Sequence, residues 1–534
     1  MLSHQNPQLA LAFDFIQYTN KTIFLTGKAG TGKTTFLHNL KNISPKRIVV
    51  VAPTGVAAIN AGGVTIHSFF QMPFGPYISE ELQNLNNGII LNPQSSISTQ
   101  KKFNREKIHL IKSMDLLIID EISMVRADML DGIDEVLRKY KDRSKPFGGV
   151  QLLMIGDLHQ LSPVIKDDEW NILKKIYDTV YFFSSKALQK TQPICIELKY
   201  IYRQSDEYFI NILNKIRHKT IDQQTLKELN QRYIPNFSPP DKDGYITLTT
   251  HNANALGINQ SKLKKINNKS RTYTATVKDD FPAYSYPTEL VLELKKDAQV
   301  MFVKNDSSHD KLYYNGKIGK ITKIGEEIIY VKCPTDDSEI PVGRVEWENV
   351  KYSLDPVTKE IKENVVGSFT QYPLKLAWAI TIHKSQGLTF EKAIIDANAS
   401  FAHGQVYVAL SRCKSFEGLV LSSPITLNSI KTDNTIADFS SDINNNPPGE
   451  QELIESKIKF QQSLLHELFD FKKIQNSFIY FKKILSDNNK IIDTPIINEF
   501  SNIETIAINE IYTIADKFKH QLEQLSIQNH LPEE

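Results

Sequence analysis

The sequence predicts an α/β protein with two parallel β-sheets, and three features of the 534-residue chain support that prediction. Short apolar segments alternate with helical stretches through the first 190 residues, as in a parallel sheet covered by helices. A glycine-rich turn joins the first apolar segment to a helix. A second α/β alternation runs from about residue 193 to 422, so we expect a second sheet of the same kind.

The first domain is assigned to residues 1–190. Its strands are predicted from short apolar segments bounded by polar turns. These segments occupy residues 22–26, 47–52, 116–120 and 151–155. A polar stretch rich in Asn, Gln and Ser interrupts the alternation at about residues 69–105. Because long irregular segments in compact domains are usually functional or disordered, we treat this stretch as an insert.

The glycine-rich turn reads GKAGTGKT and matches the phosphate-binding pattern G-x-x-x-x-G-K-[ST] in full. Glycines let the backbone curl so that N–H groups face the phosphates, and the helix N-terminus adds partial positive charge. We expect Lys33 to reach the β- and γ-phosphates of ATP and Thr34 to ligate Mg²⁺. A chance glycine-rich turn is the alternative. The predicted nucleotide contacts are Gly27, Lys28, Ala29, Gly30, Thr31, Gly32, Lys33, Thr34 and Thr35.

Two adjacent carboxylates, Asp120 and Glu121, close the apolar segment LLII. The carboxyl ends of parallel strands open on one ligand crevice, where Thr34 is also expected. We therefore predict that Asp120 holds Mg²⁺ and that Glu121 takes a proton from the attacking water. A solvent-facing acidic pair at a strand end is the alternative.

Three further polar residues are candidates for the same crevice. Gln160 follows the apolar segment LLMIG, where a neutral amide could sense the γ-phosphate; a turn-capping role is the alternative. Arg203, in YRQ, and Arg412, in ALSRC, lie near the two ends of the second α/β region. Phosphoryl transfer needs positive charge delivered to the transition state, so each is a candidate arginine finger. A surface salt bridge is the alternative for each arginine alone.

The rest of the chain divides into three predicted parts. The second α/β domain covers residues 191–310 and 369–425, and a small all-β barrel interrupts it at 311–368, where short alternating strands appear. A Pro/Gly/Asn-rich linker then leads to a helical C-terminal extension at 445–534.

Composition restricts the partners and the compartment. The net charge is only +2, so binding to nucleic acid would need a local basic groove. The cysteines, Cys195, Cys333 and Cys413, form no CxxC pair, which argues against zinc and disulfides and indicates a cytoplasmic protein. We expect no membrane association, because no apolar run reaches the roughly 18 residues that a membrane helix needs.

Seven motifs in order resemble those of superfamily-one helicases: GKAGTGKT, APTGVAAINAGGVTIHSFF, IIDEIS, GDLHQLSPV, YRQ, AWAITIHKSQGLTF and YVALSRC. The chain is most similar to the PIF (petite integration frequency) DNA helicases of the RecD-like branch, and residues 121–157 resemble that family's signature region. The similarity covers about residues 1–425. It implies two RecA-like domains, an SH3-like barrel at 311–368 and a strand-separating wedge at 69–105.

The resemblance also implies roles for individual residues. Gln8 would read the adenine, and Gly387 would lie near the γ-phosphate. Thr250 and Asn252 follow a second-domain strand, where polar groups and N–H donors suit a backbone phosphate. His67 and His383 could equally be packing histidines. The predicted DNA contacts are Pro53, Thr54, His67, Thr250, Asn252, Thr381, His383, Lys384 and Tyr407.

The motifs predict an ATP-dependent helicase that steps along single-stranded DNA and unwinds forked or duplex DNA, and the resemblance to the family implies 5′-to-3′ polarity. We expect a monomer, with Mg²⁺ as cofactor and ATP as substrate. An RNA or RNA–DNA hybrid helicase remains an alternative, because discrimination rests on 2′-OH contacts that motifs do not show. A regulatory NTPase switch is a further alternative, but it would not need the motifs of the second α/β domain.

Overall fold

The computed structural model describes residues 6–73, 75–78, 103–204, 206–240, 243–308, 310–334, 336–355, 357–358, 360–396, 403–431, 433–488 and 494–527. The chain divides into two compact units. One comprises Met1–Ala12 with Thr22–Pro447, and the other comprises Phe13–Lys21 with Pro448–Glu534. Most of the predicted wedge at 69–105 lies outside the described residues.

The first unit begins with a six-stranded parallel sheet, ordered β3-β2-β4-β5-β1-β6. Its strands are β1 (Ile23–Gly27), β2 (Ile48–Ala52), β3 (Val64–Thr65), β4 (Leu116–Ile119), β5 (Gln151–Gly156) and β6 (Ile194–Leu198). Helix α1 (Pro7–Tyr18) begins in this unit and belongs to the other unit from Phe13 onwards. The other helices described in this part are α2 (Lys33–Ile43), α3 (Gly55–Ala61), α4 (Ile66–Phe70), α5 (Arg105–Ser113), α6 (Ala127–Tyr140), α7 (Asp167–Leu173) and α8 (Lys186–Gln189). We call this part the first lobe.

Burial explains why the apolar segments form these strands. Every residue of β1, β4 and β5 is buried, as expected for a sheet covered on both faces. The four predicted strands are confirmed to within one residue at each end. The predicted domain boundary at residue 190 is wrong, because β6 pairs in parallel with β1 from Ile23↔Ile194 to Gly27↔Leu198. The first sheet therefore extends to Leu198.

The next part contains a second parallel sheet and a long antiparallel segment. Its helices are α9 (Glu207–Arg217), α10 (Gln223–Asn230), α11 (Asn252–Lys265) and α12 (Gln405–Ser411). Its strands are β7 (Ile246–Thr249), β8 (Ser270–Thr274), β9 (Thr276–Asp279), β10 (Val291–Lys295), β11 (Gln299–Phe302), β12 (Ile318–Ile324), β13 (Ile329–Lys332), β14 (Ile340–Val342), β15 (Val345–Leu354), β16 (Ile361–Gln371), β17 (Leu374–Leu376), β18 (Ala379–Thr381), β19 (Ala393–Ile395) and β20 (Leu419–Leu421). Helix α13 (Asn434–Asn445) follows in the chain but packs into the core of the first lobe through Ile436 and Ile443.

The second parallel sheet has the order β18-β7-β19-β20. Helices α9 and α12 pack on it through a shared core that includes Phe209, Ile216, Val408 and Leu410. We call this sheet and its helices the second lobe. The expected α/β architecture with two parallel sheets is confirmed.

The antiparallel segment is longer than predicted. It runs from β8 to β17, residues 270–376, and forms sheets ordered β14-β13-β12-β11-β17, β15-β16-β9 and β10-β8. The antiparallel segment therefore extends beyond the predicted insert at 311–368 on both sides. Alternating exposed and buried positions, as in β10, are typical of antiparallel strands with one face in solvent, and this pattern already begins before residue 311.

One hairpin of the antiparallel segment reaches the first lobe. Strands β15 and β16 pair over ten residues each. Near the far end of this hairpin, the Tyr352 hydroxyl accepts a hydrogen bond from the Val50 N–H at 3.2 Å. Glu363 forms an ion pair with Lys41 at 2.8 Å. The hairpin thus connects the antiparallel segment to β2 and α2.

The second unit is helical in its C-terminal part, with α14 (Glu450–Leu468), α15 (Lys472–Asp487), α16 (Thr494–Ala507) and α17 (Thr513–Ile527). Aromatic pairs join its helices, including Phe478 with Phe500 at 5.3 Å between ring centroids. Among the helices that the structure describes, none is both long enough and apolar enough to span a bilayer.

Candidate nucleotide and DNA sites

The phosphate-binding loop connects β1 to α2 and is held by its own lysine. The Lys33 ammonium donates hydrogen bonds to the carbonyls of Gly27 at 2.6 Å and Lys28 at 3.0 Å. Burial lowers the pKa of Lys33. Thr34 and Thr35 are exposed in the first turn of α2. The loop thus presents a cation and two hydroxyl groups at a helix N-terminus, which suits a phosphate chain.

Gly30 is required by the close approach of the second lobe's entry segment. Its φ of 82° lies in the left-handed region, and a Cβ there would be 2.3 Å from the Arg203 Cβ. The Tyr202 N–H also donates to the Gly30 carbonyl at 2.8 Å. The segment YRQ therefore lies directly on the phosphate loop, which brings Arg203 to the nucleotide site.

Tyr202 is a site residue that the sequence interpretation missed. A Cβ on Gly32 would lie 3.4 Å from the Tyr202 ring, and the side chain is 51% exposed. An aromatic face beside a phosphate loop can stack on a nucleotide base. The available signal was the aromatic residue immediately before Arg203 in YRQ.

Asp120 and Glu121 lie where β4 ends, as predicted from the strand pattern. Glu121 has a left-handed φ of 52°, an uncommon conformation for a residue other than glycine. Its N–H donates to Asp120 Oδ1 at 3.0 Å. Burial, followed by the neighbouring Glu121 carboxylate, raises the pKa of Asp120 to about 7. Burial likewise raises the pKa of Glu121, although the Lys33 charge opposes the rise.

Glu121 is also contacted from the second lobe. The Gln386 amide donates to Glu121 Oε2 at 2.8 Å. Gln386 belongs to the KSQG motif, whose lysine and glycine were singled out while this glutamine was not. Because this hydrogen bond joins the two lobes at the candidate general base, the position of that base depends on both lobes.

The two candidate arginine fingers lie close together. Arg203 donates to the Gly387 carbonyl at 3.4 Å, so Gly387 also lies at this site. Arg412 is 1% exposed and donates to the Val408 carbonyl and the Ser411 hydroxyl, each at 3.0 Å. Burial, followed by the charge of Arg203, lowers the pKa of Arg412 to about 9. Two neighbouring guanidinium groups bonded to neutral acceptors create a positive pocket that suits an anionic phosphate.

Gln160 is held by a carboxylate that the sequence interpretation did not single out. Its amide donates to Asp157 Oδ2 at 3.1 Å. Burial alone would raise the pKa of Asp157, but the charges of Arg217 and Lys33 outweigh it and lower the pKa to about 2. The Asp157 carboxylate is therefore ionised and can keep the Gln160 amide in one orientation.

The prediction that Tyr407 contacts DNA is wrong. Tyr407 is only 4% exposed, and its hydroxyl accepts a hydrogen bond from the Ala29 N–H at 3.3 Å. The side chain therefore joins α12 of the second lobe to the phosphate loop. A residue in this position can influence nucleotide binding, but its side chain is not available to a DNA strand.

Replacing Tyr407 with phenylalanine tests this corrected position. Losing one hydrogen-bond acceptor for a buried amide costs about 0.5–1.5 kcal/mol, so the KM for ATP should rise by roughly 2- to 10-fold. The affinity for single-stranded DNA, measured by fluorescence anisotropy without nucleotide, should not change. Weaker DNA binding with an unchanged KM would restore the original DNA assignment.

The remaining predicted DNA contacts follow strand ends or start helices. Thr54 caps α3 and accepts a hydrogen bond from the Ala57 N–H, with Pro53 immediately before it. Thr250 follows β7, and Thr381 is the last residue of β18, the strand that pairs with β7. Asn252 and Lys384 are both exposed. Thr54, Asn252 and Lys384 are exposed and can contact a sugar–phosphate backbone without reading base edges. Thr250 and Thr381 are only 8% and 4% exposed.

The two candidate histidines are half-buried. Burial, together with the positive charge of Arg126, lowers the pKa of His67. Burial also lowers the pKa of His383. Both imidazoles are therefore neutral at pH 7 and could act as hydrogen-bonding groups, not as charges. Gln8 is the second residue of α1 and is half-buried.

Two family models match the chain. One, described as PIF1-like helicase, matches residues 6–227. The other, described as DNA helicase, middle domain, matches residues 452–534, in the C-terminal extension.

Relatives from other organisms are similar to about three quarters of the chain. The ATP-dependent DNA helicase PIF1 of Mus musculus is 32% identical over 411 residues, which cover 75% of this chain and 57% of that protein. The chain thus spans less than two thirds of the length of that relative. The ATP-dependent DNA helicase Pif1 of Campylobacter jejuni is 31% identical over 439 residues, covering 76% of this chain and 90% of that protein.

Solved structures are similar over most of the chain. Bacteroides sp Pif1 in complex with ADP-AlF4 has a TM-score of 0.75 and 42% identity, and the match covers 83% of this chain and 98% of that one. Bacteroides Pif1 bound to ssDNA has a TM-score of 0.57 and 42% identity, with 83% and 97% of the two chains covered.

Proposed function

This chain belongs to the PIF1-like helicase family, and we propose that it is an ATP-dependent helicase that steps 5′-to-3′ along single-stranded DNA and unwinds duplex DNA. The observation that carries the proposal is the hydrogen bond from Gln386 of the second lobe to Glu121 of the first. It makes the arrangement of the hydrolytic site depend on how the lobes meet. An enzyme that couples ATP hydrolysis to movement along DNA requires a hydrolytic site whose arrangement changes with the positions of the two lobes.

The geometry of the first lobe supports the proposed hydrolytic roles. Lys33 binds the β- and γ-phosphates of ATP, and Glu121 accepts the proton of the attacking water. Gln160 senses the γ-phosphate through its amide. Arg203 and Arg412 enter from the second-lobe side and stabilise the charge that develops during phosphoryl transfer.

Thr34 and Asp120 would hold Mg²⁺. Hydroxyl and carboxylate oxygens are the ligands that Mg²⁺ prefers, and protein sites commonly supply one or two of them while phosphates and water complete the set. Asp120 is oriented for this role because its Oδ1 accepts the Glu121 N–H. The bound ion would neutralise negative charge on the phosphates.

The adenine is assigned to Gln8 and Tyr202, by hydrogen bonding and by stacking respectively. The exposed Tyr202 ring beside Gly32 supports the stacking role. The SH3-like barrel within 311–368 and the wedge at 69–105 rest on the resemblance to the family. We also propose that the chain acts as a monomer in the cytoplasm, which agrees with three unpaired cysteines, Cys195, Cys333 and Cys413.

The enzyme would step along DNA because the two lobes bind the strand in turn. Thr54 of the first lobe and Asn252 and Lys384 of the second are exposed and would hold the strand backbone from the two lobes. ATP draws the lobes together and hydrolysis releases them, so one cycle advances the strand. The similarity to Bacteroides Pif1 bound to ssDNA supports this assignment.

The proposal is tested by measuring ATPase rate without nucleic acid, with single-stranded DNA and with single-stranded RNA. Unwinding is then measured on duplexes with 5′ or 3′ overhangs. We expect strong stimulation by DNA and unwinding from the 5′ overhang only, and Lys33→Ala serves as the inactive control. Stimulation by RNA alone would identify an RNA helicase. ATPase activity that neither polymer stimulates would contradict the proposal.

Binding to single-stranded DNA should weaken as salt increases. A phosphate-tracking site releases condensed counterions, so the logarithm of the binding constant falls linearly with the logarithm of salt concentration. The slope for single strands is about −0.7 for each phosphate neutralised. Anisotropy titrations across a salt series measure it. An affinity that does not change with salt would contradict a backbone-tracking mode.

A further inference from the structure

Arg217, the last residue of α9, crosses from the second lobe to the first lobe. Its Nη2 lies 3.3 Å from Asp157 Oδ1, and its Nη1 lies 3.2 Å from Glu197 Oε1. Asp157 follows β5, and Glu197 lies in β6, the edge strand of the first sheet. The Arg217 side chain is 5% exposed. One guanidinium group therefore bridges two carboxylates of the opposite lobe in a buried environment.

Asp157 links Arg217 to the γ-phosphate sensor. Its Oδ1 receives the Arg217 guanidinium, and its Oδ2 receives the Gln160 amide at 3.1 Å. The Asp157 side chain is fully buried. Because one rigid carboxylate joins both partners, a displacement of α9 moves the carboxylate and with it the Gln160 amide.

The charged groups around Arg217 favour its pairing with the Asp157 and Glu197 carboxylates. Lys33 and Lys28 supply further positive charge near the carboxylates. Burial, together with the Arg217 charge, lowers the pKa of His159 to about 3, so this neighbouring imidazole is neutral and brings no competing charge to Asp157. The backbone N–H of His159 also donates to Asp157 Oδ1, at 3.2 Å. A planar guanidinium can bond to two carboxylates at once, whereas a lysine ammonium cannot reproduce this fork.

We propose that Arg217 is a positioning residue that orients Gln160 through Asp157 and so reports lobe closure to the hydrolytic site. The inference rests on the proposed ATPase function. With the lobes together, the Arg217–Asp157 contact fixes the Gln160 amide for the reaction. When the lobes separate, Asp157 loses this partner and the Gln160 amide loses its fixed orientation.

A double-mutant cycle between Arg217→Lys and Gln160→Ala tests the proposal. Arg217→Lys should lower the DNA-stimulated kcat by about tenfold while the KM for ATP changes less than about threefold, because orientation and not nucleotide binding is lost. In the Arg217→Lys background, Gln160→Ala should cause little further loss, since the two residues act in one chain of contacts. Independent effects that multiply would overturn the proposal.

Arg232→Lys is the matched control. Arg232 also lies in the second lobe and donates to the carbonyls of Leu419 at 2.6 Å and Glu417 at 2.5 Å, away from the first lobe. Its replacement should lower thermal stability without changing kcat per folded molecule. Its effect should simply multiply with that of Gln160→Ala. Turnover is normalised to folded protein by thermal unfolding in every variant.

The experiment includes a second Arg217 variant and the wild-type protein. If Arg217→Lys does not fold, Arg217→Gln replaces it, and the cycle with Gln160→Ala is judged by the same criterion. Measurements on the wild-type protein distinguish failure of the proposed function from failure of the proposed role of Arg217. If the wild-type protein shows no DNA-stimulated ATPase, the proposed function is wrong. If stimulation is normal but the effects of Arg217→Lys and Gln160→Ala on kcat multiply, only the role of Arg217 is wrong.

Discussion

Glu121→Gln should lower the turnover of bound ATP by about 100-fold or more, because an amide cannot accept the proton of the attacking water. The substitution preserves size and can still accept the hydrogen bond that Gln386 donates to Glu121 at 2.8 Å. Removing the Glu121 charge should therefore affect the chemical step and leave the lobe contact in place. Nucleotide affinity should stay within a few-fold of wild type.

Single-turnover hydrolysis in a rapid-quench experiment measures this effect directly, because it excludes product release. Glu106→Gln is the control, since Glu106 is exposed in the first turn of α5. It should hydrolyse ATP at the wild-type rate. Near-normal single-turnover hydrolysis by Glu121→Gln would remove Glu121 from the role of general base.

The sequence predicted those parts of the site that consist of residues adjacent in the chain. The phosphate loop is a continuous motif between a strand and a helix, and the carboxylate pair directly follows a buried strand. Short-range patterns of this kind fix local backbone geometry and place the side chains at one edge of a parallel sheet. The four strands of the first sheet were predictable for the same reason, since each is a short apolar segment.

The parts that could not be predicted depend on contacts between distant segments. Tyr407 meets Ala29 across 378 positions, and Gln386 meets Glu121 across 265. Neither pairing follows from local periodicity, because it is set by how α12 and the KSQG segment approach the first lobe. The motif context suggested a DNA contact for Tyr407, and only the packing of its hydroxyl on the phosphate loop corrects that assignment.

Strand order poses the same difficulty. The residues of β6 alternate buried and half-buried positions, which is compatible with an edge strand of either sheet. Its pairing with β1 decides the lobe to which it belongs, and that pairing is nonlocal. The antiparallel segment was underestimated because β9 and β11, which lie beside the second α/β region in sequence, pair with β16 and β17 much later in the chain.

Arg412→Ala should give the largest loss, lowering kcat by roughly 10³-fold, the lower end of what arginine fingers contribute elsewhere. The Arg412 guanidinium is buried beside Arg203 and bonds only to neutral acceptors among its described hydrogen bonds, the carbonyls of Val408 and Leu388 and the Ser411 hydroxyl. A buried cation bonded in this way can stabilise the charge that develops on a transferring phosphoryl group.

Arg412→Lys should restore little activity, because an ammonium cannot reproduce the planar fork of the guanidinium. Nucleotide affinity should change by only a few-fold, since the finger acts in the transition state. The loss should persist at saturating single-stranded DNA, because the defect lies in the chemical step and not in strand capture. These three results together would distinguish a finger from a general phosphate ligand.

A purely structural role for Arg412 predicts a different outcome. Its hydrogen bonds to Val408 and Ser411 lie at the end of α12, so their loss alone would lower stability and reduce activity in proportion to the folded fraction. Turnover per active site and the midpoint of thermal unfolding, measured on the same samples, separate the two roles. A folded Arg412→Ala protein with near-normal DNA-stimulated turnover would eliminate the finger and, with it, the mechanism in which lobe closure triggers hydrolysis.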